Sequence, residues 1–248
     1  MAELPGEPRT EPSGPAHHQV HHHRDVRSGG ARAAVFGMSD GLVTNVSLIL
    51  GVAGANPAAS VVRLTGLAGL VAGAFSMAAG EYVSMQAQRE LLQRELDLER
   101  QSLRRAPEAE RRELKAIYER RGVAPELAAE LVAEVMRDPE IALETHAREE
   151  LGVDPGSLGS PWKAAVSSFV TFSIGAFLPL IPWLFSSGTA ATLGSVVIGA
   201  VAALLVGGAL GFFTGRGPVR SALRQLLVAA LAAGVTYGIG HAVGAATG

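Results

Sequence analysis

Apolar residues are not spread evenly along this chain. They gather into five blocks, at about residues 33–55, 61–85, 162–185, 189–214 and 219–246. A bilayer's hydrocarbon core takes about 20 residues of helix to cross, and each block reaches that length. Asn56 and Pro57 separate the first block from the second with a short turn. Pro179 and Pro182 fall near the end of the third block, where they are expected to bend or break it. Gly207 and Gly211 stand four apart in the fourth, with Gly215 just beyond, a spacing that lets helices approach closely.

Between the second and third blocks the helical spacing persists but the composition changes. Residues 86–155 hold seventeen Asp/Glu and twelve Lys/Arg among periodic apolar positions. No Pro or Gly follows Gly80 until Pro107, so the second helix is expected to leave the bilayer and run on in water to about Arg105. A second helix is predicted over 107–121, stopped by Gly122. A third helical region starts at Pro125, restarts at Asp138-Pro139 as cap and first residue, and ends at Gly152. Nothing predicts strands. The expected fold is an all-α membrane protein: five transmembrane helices, with a cytoplasmic three-helix insert between the second and third spans. The division is a tail over 1–32, two spans over 33–85, an acidic insert over 86–160 and three spans over 161–248.

Charge sharpens this picture. After Lys163 the only charged residues are Arg216, Arg220 and Arg224, and no acid follows. A stretch so poor in charge cannot form a soluble surface. The absence of cysteine excludes a disulfide framework and thiolate metal sites. Arginines before span one, in the insert and after span four alternate with uncharged connections. By the positive-inside rule this puts the N-terminus and insert in the cytoplasm and the C-terminus outside. Residues 1–32 lack the apolar core of a secretory leader, which favours a bacterial plasma membrane over an organelle. They are expected to form a disordered tail, and His17, His18, His21, His22 and His23 within it are more readily explained without a metal.

Only two acids, Asp40 and Glu81, lie within predicted spans, and no base sits mid-span to neutralise them. Each must be protonated, hydrated or bound to a cation. Asp40, Thr44 and Ser47 form an i, i+4, i+7 stripe, extended by Gly37 and Gly51, that is expected to face other helices or a water path. Met77 and Glu81 share a helix face below Gly66, Gly69 and Gly73. Carboxylates plus a thioether would suit a divalent transition metal. The plainer reading is a snorkelling Glu and a Met filling a core gap.

These residues fall in motifs that resemble the vacuolar iron transporter family. They are FGMSDGLVT at 36–44, SMAAGEYVS at 76–84, QRE at 88–90 and REELG at 148–152. The resemblance spans roughly residues 32–248. It implies a five-span homodimer in the lipid bilayer that moves Fe²⁺ or Mn²⁺ out of the cytoplasm in exchange for protons. Its path would lie between protomers, with Asp40, Met77, Glu81 and Thr44 along it. The family's insert collects metal on paired glutamates. Matched by position, these are Glu99, Glu110, Glu113 and Glu150, with Ser102 where a second Glu stands in the family and His146 where a Met does. His146 and Glu150 share a helix face, so nitrogen would replace sulfur. Glu126, Glu130 and Glu134 are assigned to a solvated surface.

No catalytic residue, cofactor or nucleic-acid partner is expected. A ferritin-like oxidase would need Glu-x-x-His pairs on two helices, and residues 86–155 contain one histidine, His146, with Leu143 three before it. A membrane-anchored partner-binding or metal-sensing protein accounts for the charged insert, but not for Asp40, Met77 and Glu81.

Overall fold

The computed structural model describes residues 29–153, 159–215 and 217–247. Residues 1–28 of the expected tail, with its five histidines, and Arg216 lie outside them, whereas residues 29–32 of that expected tail are the start of the first helix. The regular elements among the described residues are all helices, with α-helices in the order α1 (Gly29–Gly54), α2 (Ala59–Arg105), α3 (Pro107–Arg120), α4 (Pro125–Val135), α5 (Pro139–Glu149), α6 (Pro161–Phe177), α7 (Ile181–Phe185), α8 (Gly188–Phe213) and α9 (Pro218–Thr247). Five segments are long and apolar enough to cross a membrane, and the short helices lie between the second and third of them. The protein is therefore an all-α, multi-pass membrane protein.

α2 is a single helix of 47 residues, as the lack of breakers after Gly80 predicts. The third helical region of the insert divides into α4 and α5 at the restart expected at Asp138-Pro139. Met136 and Arg137 form a turn after α4, and the Asp138 carboxylate accepts from the backbone N–H groups of Glu140 (2.8 Å) and Ile141 (3.2 Å) to start α5.

Span three breaks where its prolines predict. α6 gives way to a 3₁₀ turn at Leu178–Leu180 and then to α7. Side chains from neighbouring helices reach the carbonyls along this interrupted stretch. Asn45 of α1 donates to the Ala176 carbonyl at 2.5 Å, Ser195 of α8 to Pro179 at 2.7 Å, and Arg63 of α2 to Trp183 at 2.7 Å. A broken helix inside a bilayer is tolerable only when its backbone is satisfied by protein in this way.

α1 is the central helix, touching every other span. It crosses α6 so closely that a Cβ on Gly41 would overlap the Phe172 carbonyl. α9 runs alongside α1 in the same direction, with Ser47 beside Thr236, Gly51 beside Gly240 and Ala55 beside Gly244. Gln225 donates to the Ser39 hydroxyl at 2.7 Å near the start of α1, and Thr236 donates to the Ser47 carbonyl at 2.8 Å two turns on. Packing on α6 and α9 splits the predicted polar stripe. Gly37 packs on α6, Ser47 and Gly51 pack under α9, and Asp40 and Thr44 stay exposed. The stripe is therefore not one surface, because α6 covers one part of it, α9 covers another, and Asp40 and Thr44 are left uncovered.

Candidate metal centre

The insert builds its site from a buried stripe. On α5, Ala142, Leu143, His146 and Ala147 are buried at the i, i+1, i+4, i+5 spacing of an amphipathic helix. His146 thus occupies a core position and is fully buried, yet its Nδ1 points at carboxylates. It lies 3.0 Å from Glu150 Oε1, 3.2 Å from Glu99 Oε1 and 3.9 Å from Glu110 Oε2. Three elements deliver these groups: the aqueous half of α2 brings Glu99, the first turn of α3 brings Glu110, and α5 brings His146 with Glu150 at its C-cap. An ion pair between Arg121 and Glu149 ties the end of α3 to the end of α5.

One donor atom from each of Glu99, Glu110, His146 and Glu150 lies within 4.8 Å of all the others. Metal–donor distances of about 2.0–2.2 Å put even opposite ligands only about 4.2 Å apart, so the group would have to draw in to share one cation. Glu99 Oε1 is buried and makes no hydrogen bond of acceptable geometry among the described residues, despite its closeness to the imidazole. Burial raises the Glu99 pKa, and the Glu150 charge raises it further, against the opposing effect of His146. Burial also raises that of Glu110, with His146 opposing and Glu150 and Glu113 adding. The carboxylates crowd a desolvated point without enough positive charge from the protein, which is what a bound cation would supply.

The other predicted ligands fall outside this group. Glu113 is exposed on α3 and acts on Glu99 and Glu110 only through its charge. Ser102, one turn beyond Glu99, has no carboxylate to add to this group. Glu126, Glu130 and Glu134 are exposed, and Glu134 pairs with Arg137 at 2.7 Å, in keeping with a solvated surface.

The membrane residues are arranged more openly. Thr44 donates to Asp40 Oδ1 at 3.4 Å, and both are exposed on α1. Gly66, Gly69 and Gly73 face α1, the 3₁₀ turn and α6. Met77, further along α2, packs on the Ala74–Phe172–Ala176 cluster. Glu81 follows one turn later and is partly buried. Gly66 lies against Ile49 and Gly69 against Asn45. Continuing this antiparallel register sets Asp40 level with the Gly73–Met77 turn. The helix α2 carries Met77, Glu81 and Glu99 on one rigid rod, and eighteen residues separate Glu81 from Glu99, about 27 Å of rise.

Asn45 is not among the residues that the sequence motifs nominate. It is fully buried, and its Oδ1 has no hydrogen-bond partner among the described residues. A lone Asn in the middle of span one was the available signal.

A sequence profile described as the VIT family matches residues 31–241. The chain belongs to the VIT family. Vacuolar iron transporter 1 of Oryza sativa subsp. japonica is 34% identical over 219 residues, 87% of each chain. Vacuolar iron transporter 1 of Eucalyptus grandis is 32% identical over 200 residues, 80% of each chain. The vacuolar iron transporter of Acanthamoeba castellanii is 35% identical over 188 residues, 76% of this chain and 68% of its own. These VIT-family relatives bear the names of transporters, not enzymes. The profile match contains both the exposed Asp40 and the insert cluster, so both belong to the family's shared region rather than to an appended domain.

Proposed function

We propose that this VIT-family protein carries a divalent transition metal, Fe²⁺ and/or Mn²⁺, out of the cytoplasm, in exchange for protons. The observation that carries the reading is the four-ligand group on Glu99, Glu110, His146 and Glu150, joined through unbroken α2 to Met77 and Glu81. Oxygen and imidazole donors accept both metals. The names of the relatives support iron as a cargo. The insert gathers cations at the inner mouth, where a concentration of carboxylates raises their local level. Asp40, Thr44, Met77 and Glu81 then form the membrane path. Metal and protons compete for the same carboxylate oxygens, so protons entering from outside release the metal.

A homodimer completes this path. The most apolar window of α2 is only 17% buried within the protomer, against 44% for that of α1, although α2 carries Met77 and Glu81. Asp40 and Thr44 are exposed at the same depth. A second copy facing these surfaces would remove an ionisable side chain from lipid, where it costs roughly 2.5–3.5 kcal/mol. The orientation that fits the arginine distribution has the N-terminus and insert in the cytoplasm of a plasma membrane.

Asp40→Asn keeps the size of the side chain and removes its charge at an exposed position, so the fold should survive. In proteoliposomes with an imposed pH gradient, this variant is expected to lose Fe²⁺ and Mn²⁺ flux while keeping the wild-type melting temperature. Undiminished, pH-dependent flux would refute the assigned path.

A further inference from the structure

The sequence closes α5 with two consecutive glutamates, Glu149 and Glu150. A helix C-terminus carries partial negative charge, so carboxylates in the last turn are unfavourable unless something positive offsets them. The two side chains go different ways. Glu150 reaches the metal centre, with His146 at 3.0 Å. Glu149, the more buried partner of an ion pair, reaches the half-exposed Arg121 at the end of α3. Only Glu150 belongs to the four-ligand group.

The backbone fixes both anchor points. Arg121 caps α3, its N–H bonding the carbonyls of Ile117 (3.2 Å) and Tyr118 (3.0 Å), and Gly122 follows in the left-handed region. At the end of α5, the Glu150 N–H bonds the His146 carbonyl at 2.8 Å and the Val153 N–H bonds that of Ala147 at 3.2 Å, with Gly152 between them also left-handed. Tyr118 lies beside the pair. Burial raises the pKa of its hydroxyl, and the Glu149 charge raises it further, with Arg121 opposing. The end of α5 is thus held to α3 at two places: near Glu110 through the metal centre, and at Arg121 through Glu149.

We infer that Arg121 is a positioning residue of the metal centre: by engaging Glu149 it orients the last turn of α5, keeps that carboxylate out of the ligand group and leaves Glu150 as the ligand. The inference rests on reading Glu99, Glu110, His146 and Glu150 as a metal centre. Charge alone predicts the opposite effect. A guanidinium beside the ligand-bearing turn repels a cation, so its removal would tighten binding. The sign of the change therefore separates positioning from simple electrostatics.

The test uses the full chain in neutral detergent with Co²⁺ as the probe. Titration gives Kd, and the visible absorption of bound Co²⁺ reads its coordination geometry. R121Q is expected to weaken Co²⁺ binding roughly ten-fold and to change the absorption, while helicity stays at the wild-type level. R121E/E149R, which rebuilds the pair in reverse, is expected to bind Co²⁺ more tightly than R121E, although it carries two more positive charges. R121Q that binds as tightly as the wild type or more so, with unchanged absorption, overturns the inference. So does R121E/E149R that binds no better than R121E, and either comparison decides if a variant in the other fails to fold. Wild-type Co²⁺ binding in Glu99→Gln would remove the metal centre and this inference with it. Lost binding in Glu99→Gln with no effect at Arg121 would remove the positioning role alone.

Discussion

His146 is where packing and ligation meet in one side chain. Its ring fills a core position among Leu143, Ala147 and the α2 and α3 surfaces, while one nitrogen faces three carboxylates. Replacing it with leucine should keep the packing and remove the nitrogen donor. His146→Leu is expected to weaken Co²⁺ or Mn²⁺ binding by the full chain about 10-fold or more, with little change in helicity by circular dichroism. Binding unchanged within error would show that the carboxylates suffice. Glu113→Gln, by contrast, removes only a distant charge. Glu99 and Glu110 also set a pH dependence at this scale. Their pKa values are raised, so the folded insert takes up protons as it forms. Without metal, the cost of their charge is complete above the raised values and disappears as pH falls below the ordinary carboxyl range. Bound metal offsets that cost. The rise in melting temperature on adding Mn²⁺ should therefore be largest at neutral pH and shrink as the solution is acidified through the raised values. A metal-induced shift that grows on acidification would contradict this assignment.

At the scale of elements, span three depends on its neighbours. Its prolines interrupt the helix, and α1, α2 and α8 contribute Asn45, Arg63 and Ser195 to its carbonyls. Asn45→Ala is expected to cost about 1 kcal/mol, the usual worth of an interhelical hydrogen bond in a membrane. Helix contact by glycine is equally local. A Cβ on Gly240 would overlap the Gly51 carbonyl, whereas one on Gly234 would meet nothing within 4 Å. Gly240→Ala should lower stability by roughly 1–3 kcal/mol, as overpacking does. Gly234→Ala should be neutral or stabilising by up to about 1 kcal/mol, because alanine is the better helix former. Both are read from thermal or denaturant unfolding in one detergent. Equal effects at the two positions would mean that α9 does not approach α1 as closely as described.

At the scale of the whole molecule, α2 joins two chemistries without a hinge. Its apolar half lies in the bilayer and its charged half supports the insert, so a displacement at Glu99 is transmitted along a helix and not across a loop. The least buried of the apolar windows, those of α2 and α9, are 17% and 6% buried within one protomer. These surfaces are left for lipid or a second copy.

Span number, the helical insert and the unbroken run of α2 were legible in the chain because each follows from local chemistry. Twenty apolar residues demand a bilayer, a proline removes a donor wherever it stands, and a helix continues until something stops it. Glu99, Glu110, His146 and Glu150 could be nominated from motif position. That these four converge, while Glu113 turns to solvent, depends on how α2, α3 and α5 rotate about one another, and no spacing within a single helix encodes that rotation. The same holds for the stripe of Asp40, Thr44 and Ser47. Periodicity assigns residues to a face, but which part of that face is covered is set by where α9 packs along α1, a relation between segments 180 residues and more apart.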